Sequence, residues 1–184
     1  MNIPHSLYGL SAEQLVQSLS LAEKRLAVQI NNWLAKGAES FDEMTDLSLS
    51  ERERLANLMG SPISSRVTSQ EEDEAGTIKL GITLFDGRII EAVLLVDKKK
   101  RYTACLSVQV GCAMGCTFCK TGTMGLLRNL AAEEIVEQFV HLSKVAEEPI
   151  THIVFMGMGE PLHNFNATLK AIHALNRKDL FNIG

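Results

Sequence analysis

Apolar side chains recur at helical spacing through the first 60 residues of this chain. Ser11 is suited to cap a first helix, and Gly37 to end a second one. Ser48 and Glu51 have the spacing of a capping box for a third helix, which Gly60 would close. We therefore predict a small helical unit over residues 1–60.

The pattern changes after residue 60, where apolar and polar residues begin to alternate. A first strand is predicted over residues 78–84 and a second over residues 89–96, with Asp86-Gly87 as the tight turn between them. Glu91 interrupts the second apolar run. Its carboxylate is either outward-facing on a half-buried strand or inward-facing and functional, and the pattern alone favours the outward orientation.

From Cys105 onwards the pattern predicts alternating strands and helices, typical of a parallel sheet or barrel. The chain is therefore α/β, with an accessory domain over residues 1–100 (helical to 60, then β-rich) and a β/α domain from 101 to 184. Ligands of such folds collect at the carboxyl ends of the strands. The predicted elements are a strand over 105–110, an amphipathic helix over 131–145, a strand over 151–156 and a helix over 165–176.

Composition narrows the class of protein. A length of 184 residues suits one or two domains, and no apolar run is long enough for a membrane span. We therefore expect a cytoplasmic protein with reduced thiols. The net charge of −4 argues against wholesale coating of nucleic acid. Residues 97–128 nevertheless hold six basic side chains against one acidic one. If RNA binds, this excess gives a positive field beside the cysteines. The alternative is a solvated loop, which Lys98–Arg101 alone would favour.

Three cysteines, Cys112, Cys116 and Cys119, form a C-x3-C-x2-C array. Four-iron clusters usually take four cysteines, so three would leave one iron free to bind a small molecule. Structural zinc is the alternative, but zinc sites usually combine two paired-ligand knuckles and only one C-x2-C is present. Phe118 within the array is either a core residue or a contact for a bound ligand. The histidines that could complete a zinc site are His141, His152 and His163.

A glycine-rich turn, Gly157 to Pro161, follows the second strand of the β/α region. Its glycines allow close backbone approach to a ligand, and Glu160 can accept hydrogen bonds from an ammonium group. Many turns contain G-x-G, so the motif alone is weak evidence for a ligand site. Its position one β/α unit after the cysteines makes that interpretation stronger.

The runs SVQVGCAMGCTFC, RNL and FMGMGEPLHN strongly resemble the radical S-adenosylmethionine (SAM) rRNA and tRNA adenine methyltransferases. The resemblance extends from about Leu7 to Asn166 and is tightest from Cys105 to Leu162. It implies the first units of a partial TIM barrel, a [4Fe-4S] cluster, SAM, an electron donor, and methylation of a 23S rRNA adenosine at carbon 2, with tRNA as a further substrate. Carbon 8 is the alternative, since the family includes a carbon-8 resistance enzyme.

Residue roles follow from the resemblance. It makes Cys112, Cys116 and Cys119 the cluster ligands. Phe118 would lie near the adenine of SAM, and Gly159 and Glu160 would contact SAM. Glu91 would be a proton acceptor, and Cys105 the cysteine that resolves a covalent enzyme–RNA adduct through a transient disulfide.

The sequence departs from the family in one major respect: the methyl-carrying cysteine of the family has no counterpart among these 184 residues. A complete barrel needs roughly 250 residues, so we expect a truncated N-terminal part with an open apolar sheet edge, inactive alone. Two alternatives remain: a non-catalytic RNA- or ribosome-binding fragment, and a radical SAM enzyme with another substrate.

Overall fold

The computed structural model describes residues 4–183 and opens with the three predicted helices. Ser11 caps the first with a complete capping box. Ser48 caps the third, but the Glu51 side chain pairs with Arg54 at 2.6 Å, so that box is only half formed. Gly60 ends this helix at φ 79°, in the left-handed region that glycine tolerates. The helices are α1 (Ala12–Leu19), α2 (Lys24–Ala35) and α3 (Leu49–Met59).

A five-stranded sheet follows, and its first three strands form an antiparallel meander. The predicted hairpin at Asp86-Gly87 joins the second and third strands. The first strand is exposed at every position, and no pattern in the sequence predicted it. These strands are β1 (Arg66–Glu72), β2 (Ile78–Thr83) and β3 (Ile89–Val96).

The sheet continues without a break into the β/α region. β4 (Tyr102–Cys105) pairs antiparallel with β3 and parallel with β7 (Ile150–Val154), which is the edge strand. One buried apolar cluster also runs through both halves of the chain. The α/β class with first β/α units is thus confirmed, and the division into two domains at residue 100 stays a prediction.

The predicted single strand over residues 105–110 is wrong. The chain leaves the sheet after Cys105 and forms a separate two-stranded ladder from β5 (Gln109–Gly111) and β6 (Leu126–Asn129). The physical reason lies at Ser107, whose backbone N–H and C=O are hydrogen-bonded by the side-chain amide of Gln138, at 2.8 and 2.9 Å, instead of by a strand.

Helix α4 (Ala132–Val145) crosses from β6 to β7, and its residues Glu134–Leu142 are buried on all sides. The prediction of an amphipathic helix with one apolar face is therefore incomplete. Its buried polar side chains are hydrogen-bonded, as in the pair between Glu137 and Ser64 N (2.7 Å).

Helix α5 (Phe165–Asn176) lies after a short 3₁₀ helix at Pro161–Asn164 and packs on α4. Phe165, Leu169 and Ile172 recur along one side of α5 and are exposed. Beside them β7 contributes Ile153 to an apolar groove of about 260 Å³. Among the helices of residues 4–183, none has the length and apolar character needed to cross a membrane.

Candidate radical SAM site

The cysteine loop joins β5 to β6. Cys112 is buried at the start of the loop, its backbone N–H bonded to Gly125 O at 3.0 Å. Cys116 is exposed and Cys119 half-buried, with Cys119 N–H donating to Cys116 O at 3.1 Å. Gly111 has φ 77°, and a Cβ there would lie 1.9 Å from the Gly125 carbonyl oxygen, so only glycine fits where the loop begins.

The loop supplies donors suited to iron–sulfur ligation. All three thiols are free, and hydrogen bonds from the Gly122 and Thr121 backbone N–H groups hold the pKa of the Cys119 thiol below its usual range. Thiolates are the usual protein ligands of iron–sulfur clusters. Within residues 4–183, however, no three His, Cys, Asp or Glu side chains are gathered at metal-binding distance. The three thiols are therefore suitable ligands for an iron–sulfur cluster, although they do not converge on one point among the described residues.

Of the histidines considered for zinc, His141 lies elsewhere. Its ring is buried on α4, with Nε2 3.0 Å from Ser65 Oγ and Nδ1 3.7 Å from Glu39 Oε1. Burial lowers the pKa of His141. This ring is part of the packing between α4 and the segment that precedes β1.

The glycine-rich turn follows β7, next to the cysteine loop. β4 and β7 are adjacent and parallel, so the segments that follow their carboxyl ends meet at one edge of the sheet. Val108 N–H donates to Met158 O at 2.8 Å, and Met158 N–H donates to Ser107 Oγ at 2.8 Å. The structure therefore places the glycine-rich turn against the segment that leads into the cysteine loop.

Gly159 and Glu160 occupy the tip of this turn. Gly159 has φ 98°, another position that favours glycine. The Glu160 carboxylate is half-buried and accepts a hydrogen bond from Leu162 N at 3.1 Å, so it caps the 3₁₀ helix. One carboxylate oxygen remains for a ligand ammonium group.

Cys105 and Glu91 lie on the same face of the sheet. Val93 stands directly opposite Cys105, and Glu91 is two residues along the same strand. This face is opposite the one that α4 covers, where Ile90, Ala92 and Leu94 are buried.

The two side chains differ in environment. Cys105 is buried, and burial raises the pKa of its thiol despite a hydrogen bond from the Met156 backbone. Glu91 is exposed and lies 3.5 Å from Lys79 Nζ. The geometry therefore matches the outward orientation favoured by the sequence, and the proposed roles of both residues stay predictions.

Phe118 projects from the cysteine loop with 92% of its surface exposed. An exposed ring is not a core residue in this chain, and its contact with a ligand stays a prediction. Other apolar side chains of the loop and of β6 are also exposed: Met114, Met124, Leu126 and Leu127.

Lys98–Arg101 match the solvated-loop alternative. These residues form the turn where β4 begins, whereas the cysteine loop lies between β5 and β6. Lys100 instead shares a cleft with Asp73 and Glu74 of the β1–β2 turn. Only Lys120 and Arg128 of the basic set belong to the loop and its return strand.

Sequence reasoning did not single out the buried polar side chains that join these segments. Ser107 and Gln109 are fully buried, as is Gln138 on α4. Asn164 donates to Val108 O and Leu130 O, both at 2.8 Å. The available signal was a set of polar residues inside otherwise apolar runs, which must be hydrogen-bonded when buried.

Comparison with known proteins first gives the class. A model of the radical SAM superfamily matches residues 106–184, which include the cysteine loop and the glycine-rich turn. A crystal structure of a radical SAM methyltransferase from Sphaerobacter thermophilus superposes with a TM-score of 0.91 and 37% sequence identity, covering 98% of this chain and 55% of that one.

Curated relatives then narrow the similarity to RNA methyltransferases. The chain is 48% identical over 172 residues to the probable dual-specificity RNA methyltransferase RlmN of Treponema pallidum, covering 93% of this chain and 50% of that protein. RlmN of Thermotoga neapolitana is 41% identical over 97% of this chain and 53% of its own length. The chain thus spans about half the length of the curated relatives it matches. The chain is therefore similar to the N-terminal half of radical SAM RNA methyltransferases, and its match to the radical SAM superfamily spans residues 106–184.

Proposed function

We propose that the intact protein is a radical SAM RNA methyltransferase that methylates an adenosine of 23S rRNA at carbon 2, with tRNA as a further substrate. The methyl group would pass through a methyl-cysteine formed on a cysteine that these 184 residues lack. The observation that supports the proposal is the contact between the glycine-rich turn after β7 and residues 107–109, which follow the adjacent parallel strand β4 and lead into the cysteine loop.

The chain supplies the cofactor half of such a site. Cys112, Cys116 and Cys119 would hold a [4Fe-4S] cluster. When bound, that cluster supplies an open iron for SAM and, once an electron donor has reduced it, the electron that cleaves SAM. The carboxylate of Glu160 would accept hydrogen bonds from the SAM ammonium group.

The sheet face carrying Glu91 and Cys105 would face the RNA base. Cys105 is buried, and burial raises the pKa of its thiol, which favours the less reactive protonated form until a partner thiol or adduct reaches it. The Glu91 carboxylate is exposed and so accessible to take up a proton, although it forms an ion pair with Lys79. Phe118 is free to stack on an adenine ring.

Anaerobic reconstitution with iron and sulfide tests the proposal. The wild-type chain should bind about four irons and show the absorption and reduced-state EPR signal of a [4Fe-4S] cluster. Cys116→Ser should lose most of the iron. Cys105→Ser is the matched control and should retain it, because Cys105 is not among the proposed ligands.

Three results would contradict the proposal: a colourless protein holding one zinc, equal loss of iron in both variants, or no iron at all. RNA binding that falls steeply with salt and survives Cys116→Ser, without a cluster, would favour the non-catalytic alternative. We also expect the 184-residue chain alone to leave 23S rRNA unmethylated by nucleoside mass spectrometry, because no cysteine is left to carry the methyl group.

A further inference from the structure

Gln109 on β5 has a buried side-chain amide that links three segments of the site. The residue is fully buried. Its Oε1 accepts the Glu160 backbone N–H at 2.9 Å, and its Nε2 donates to Asn129 Oδ1 at 2.7 Å. One amide therefore joins the glycine-rich turn to both strands of the β5–β6 ladder.

The turn also packs directly against the Gln109 side chain. A Cβ added at Gly159 would lie 2.5 Å from Gln109 Cβ and 2.8 Å from Gln109 N, distances at which something must move. The backbone N–H of Gln109 donates to Met158 O at 3.2 Å. Hydrogen bonds and close packing thus fix the same three residues of the turn against one residue of β5.

The position of Gln109 in the chain makes this contact informative. Gln109 lies only three residues before Cys112, whereas it is 51 residues from Glu160. Asn129, its other partner, is directly opposite in the ladder, on the strand that leaves the cysteine loop. Any displacement of Glu160 relative to β5 would have to break this amide contact.

We propose that Gln109 is a positioning residue, which holds Gly159 and Glu160 at a set distance from the cysteine loop. The inference rests on the proposed function, in which one SAM molecule contacts both segments. Gln109 itself need not touch SAM, because its amide oxygen and its amide nitrogen each bond a protein partner.

A buried glutamine could also act on stability alone, and Gln138 provides the matched control. Gln138 is equally buried, and its amide bonds only the backbone of Ser107 and of Glu134. Leucine at either position deletes a buried amide of the same size and leaves backbone groups unpaired. Only Gln109→Leu frees the Glu160 N–H.

The experiment compares wild type, Gln109→Leu, Gln138→Leu and Gln109→Glu after anaerobic reconstitution. Iron content and the dissociation constant for SAM, measured by equilibrium dialysis, are the readouts. We expect Gln109→Leu to keep its iron and to lose about tenfold in SAM affinity, the effect of one positioned hydrogen bond. Gln109→Glu should recover part of the loss, because a carboxyl oxygen again accepts the Glu160 N–H while the donation to Asn129 Oδ1 is not restored.

Equal SAM affinity in the two leucine variants would overturn the inference, as would loss of iron in parallel with SAM in Gln109→Leu. If the wild type binds neither iron nor SAM, the proposed function fails. Amide hydrogen exchange on the metal-free chain then tests separately whether Gln109 holds the turn in place. Faster exchange in residues 157–160 of Gln109→Leu than of Gln138→Leu would support it, and equal exchange would overturn it.

Discussion

Arg128 on β6 connects the cysteine loop's return strand to the β2–β3 hairpin and to helix α4. Its guanidinium makes a two-pronged pair with Glu134, at 2.7 and 2.8 Å, and its Nε lies 2.7 Å from Asp86 Oδ2. The group also lies 5.3 Å from the centroid of the Phe85 ring. Glu134 is 4% exposed, so this ion pair is largely shielded from water.

Replacing Arg128 with methionine keeps the side-chain length and removes the charge. The Glu134 carboxylate then loses its cation and retains only the Ala131 backbone N–H at 2.9 Å. Removing one partner of a buried pair costs about 3–5 kcal/mol, since the remaining charge stays desolvated. We therefore expect Arg128→Met to lower the free energy of unfolding in urea by about 3 kcal/mol or more.

Arg88→Met is the matched control, because Arg88 also pairs with Asp86, at 2.5 Å, but is 44% exposed. Exposed pairs contribute only about 0–1 kcal/mol. Equal, sub-kilocalorie losses in both variants would refute the reasoning that burial of Glu134 makes the Arg128 contact strong.

The contact between Arg128 and Asp86 predicts a pH dependence of stability. Arg128 first, and Arg88 second, hold the pKa of Asp86 well below its ordinary value. A carboxylate with a lowered folded pKa contributes stability that is fully present above its unfolded pKa, about 4, and is lost as the pH falls towards the folded value. The stability difference between wild type and Arg128→Met should therefore narrow below pH 4, and a difference that widens there would contradict this assignment.

Three further predictions concern the site and the sheet edge. Gly159→Ala should lower the free energy of unfolding in urea by more than about 1 kcal/mol, because φ is 98° and a Cβ would lie 2.5–2.8 Å from atoms of Gln109. Gly87→Ala is the control and should cost less, because φ is also positive, at 80°, but no atom lies within 4 Å of the added Cβ. In the metal-free chain, iodoacetamide followed by peptide mass spectrometry should label exposed Cys116 well before buried Cys105, and equal rates would count against the burial of Cys105. Ile172→Lys on the exposed side of α5 should reduce aggregation in light scattering without lowering the urea midpoint, whereas a large drop in midpoint would show that this side is packed.

Local sequence patterns predicted the elements whose signals are themselves local. Ser11 and Ser48 cap helices where the capping pattern predicted, and Asp86-Gly87 forms the hairpin turn. Strand β1 was missed because its residues are exposed throughout and mostly polar, so no apolar alternation marks it. Its place in the sheet is set by pairing with β2, a contact that its own sequence does not encode.

The candidate site divides in the same way. The cysteine array and the glycine-rich turn were visible as motifs, and their adjacency followed from the rule that parallel strands present their carboxyl ends together. The break between β4 and β5 could not be predicted, because residues 105–110 form an uninterrupted strand-like run in the sequence.

That run leaves the sheet because of partners supplied from far along the chain. Gln138 satisfies both backbone groups of Ser107 from 31 residues away, and Gln109 then reaches the turn at Glu160 from 51 residues away. A buried amide can substitute for a neighbouring strand only where it meets both an N–H and a C=O, so the end of β4 depends on the packing of α4. The polar residues of an apolar run are therefore where tertiary structure overrides the local pattern. In this chain they lie between the segment that would hold the cluster and the one that would hold SAM.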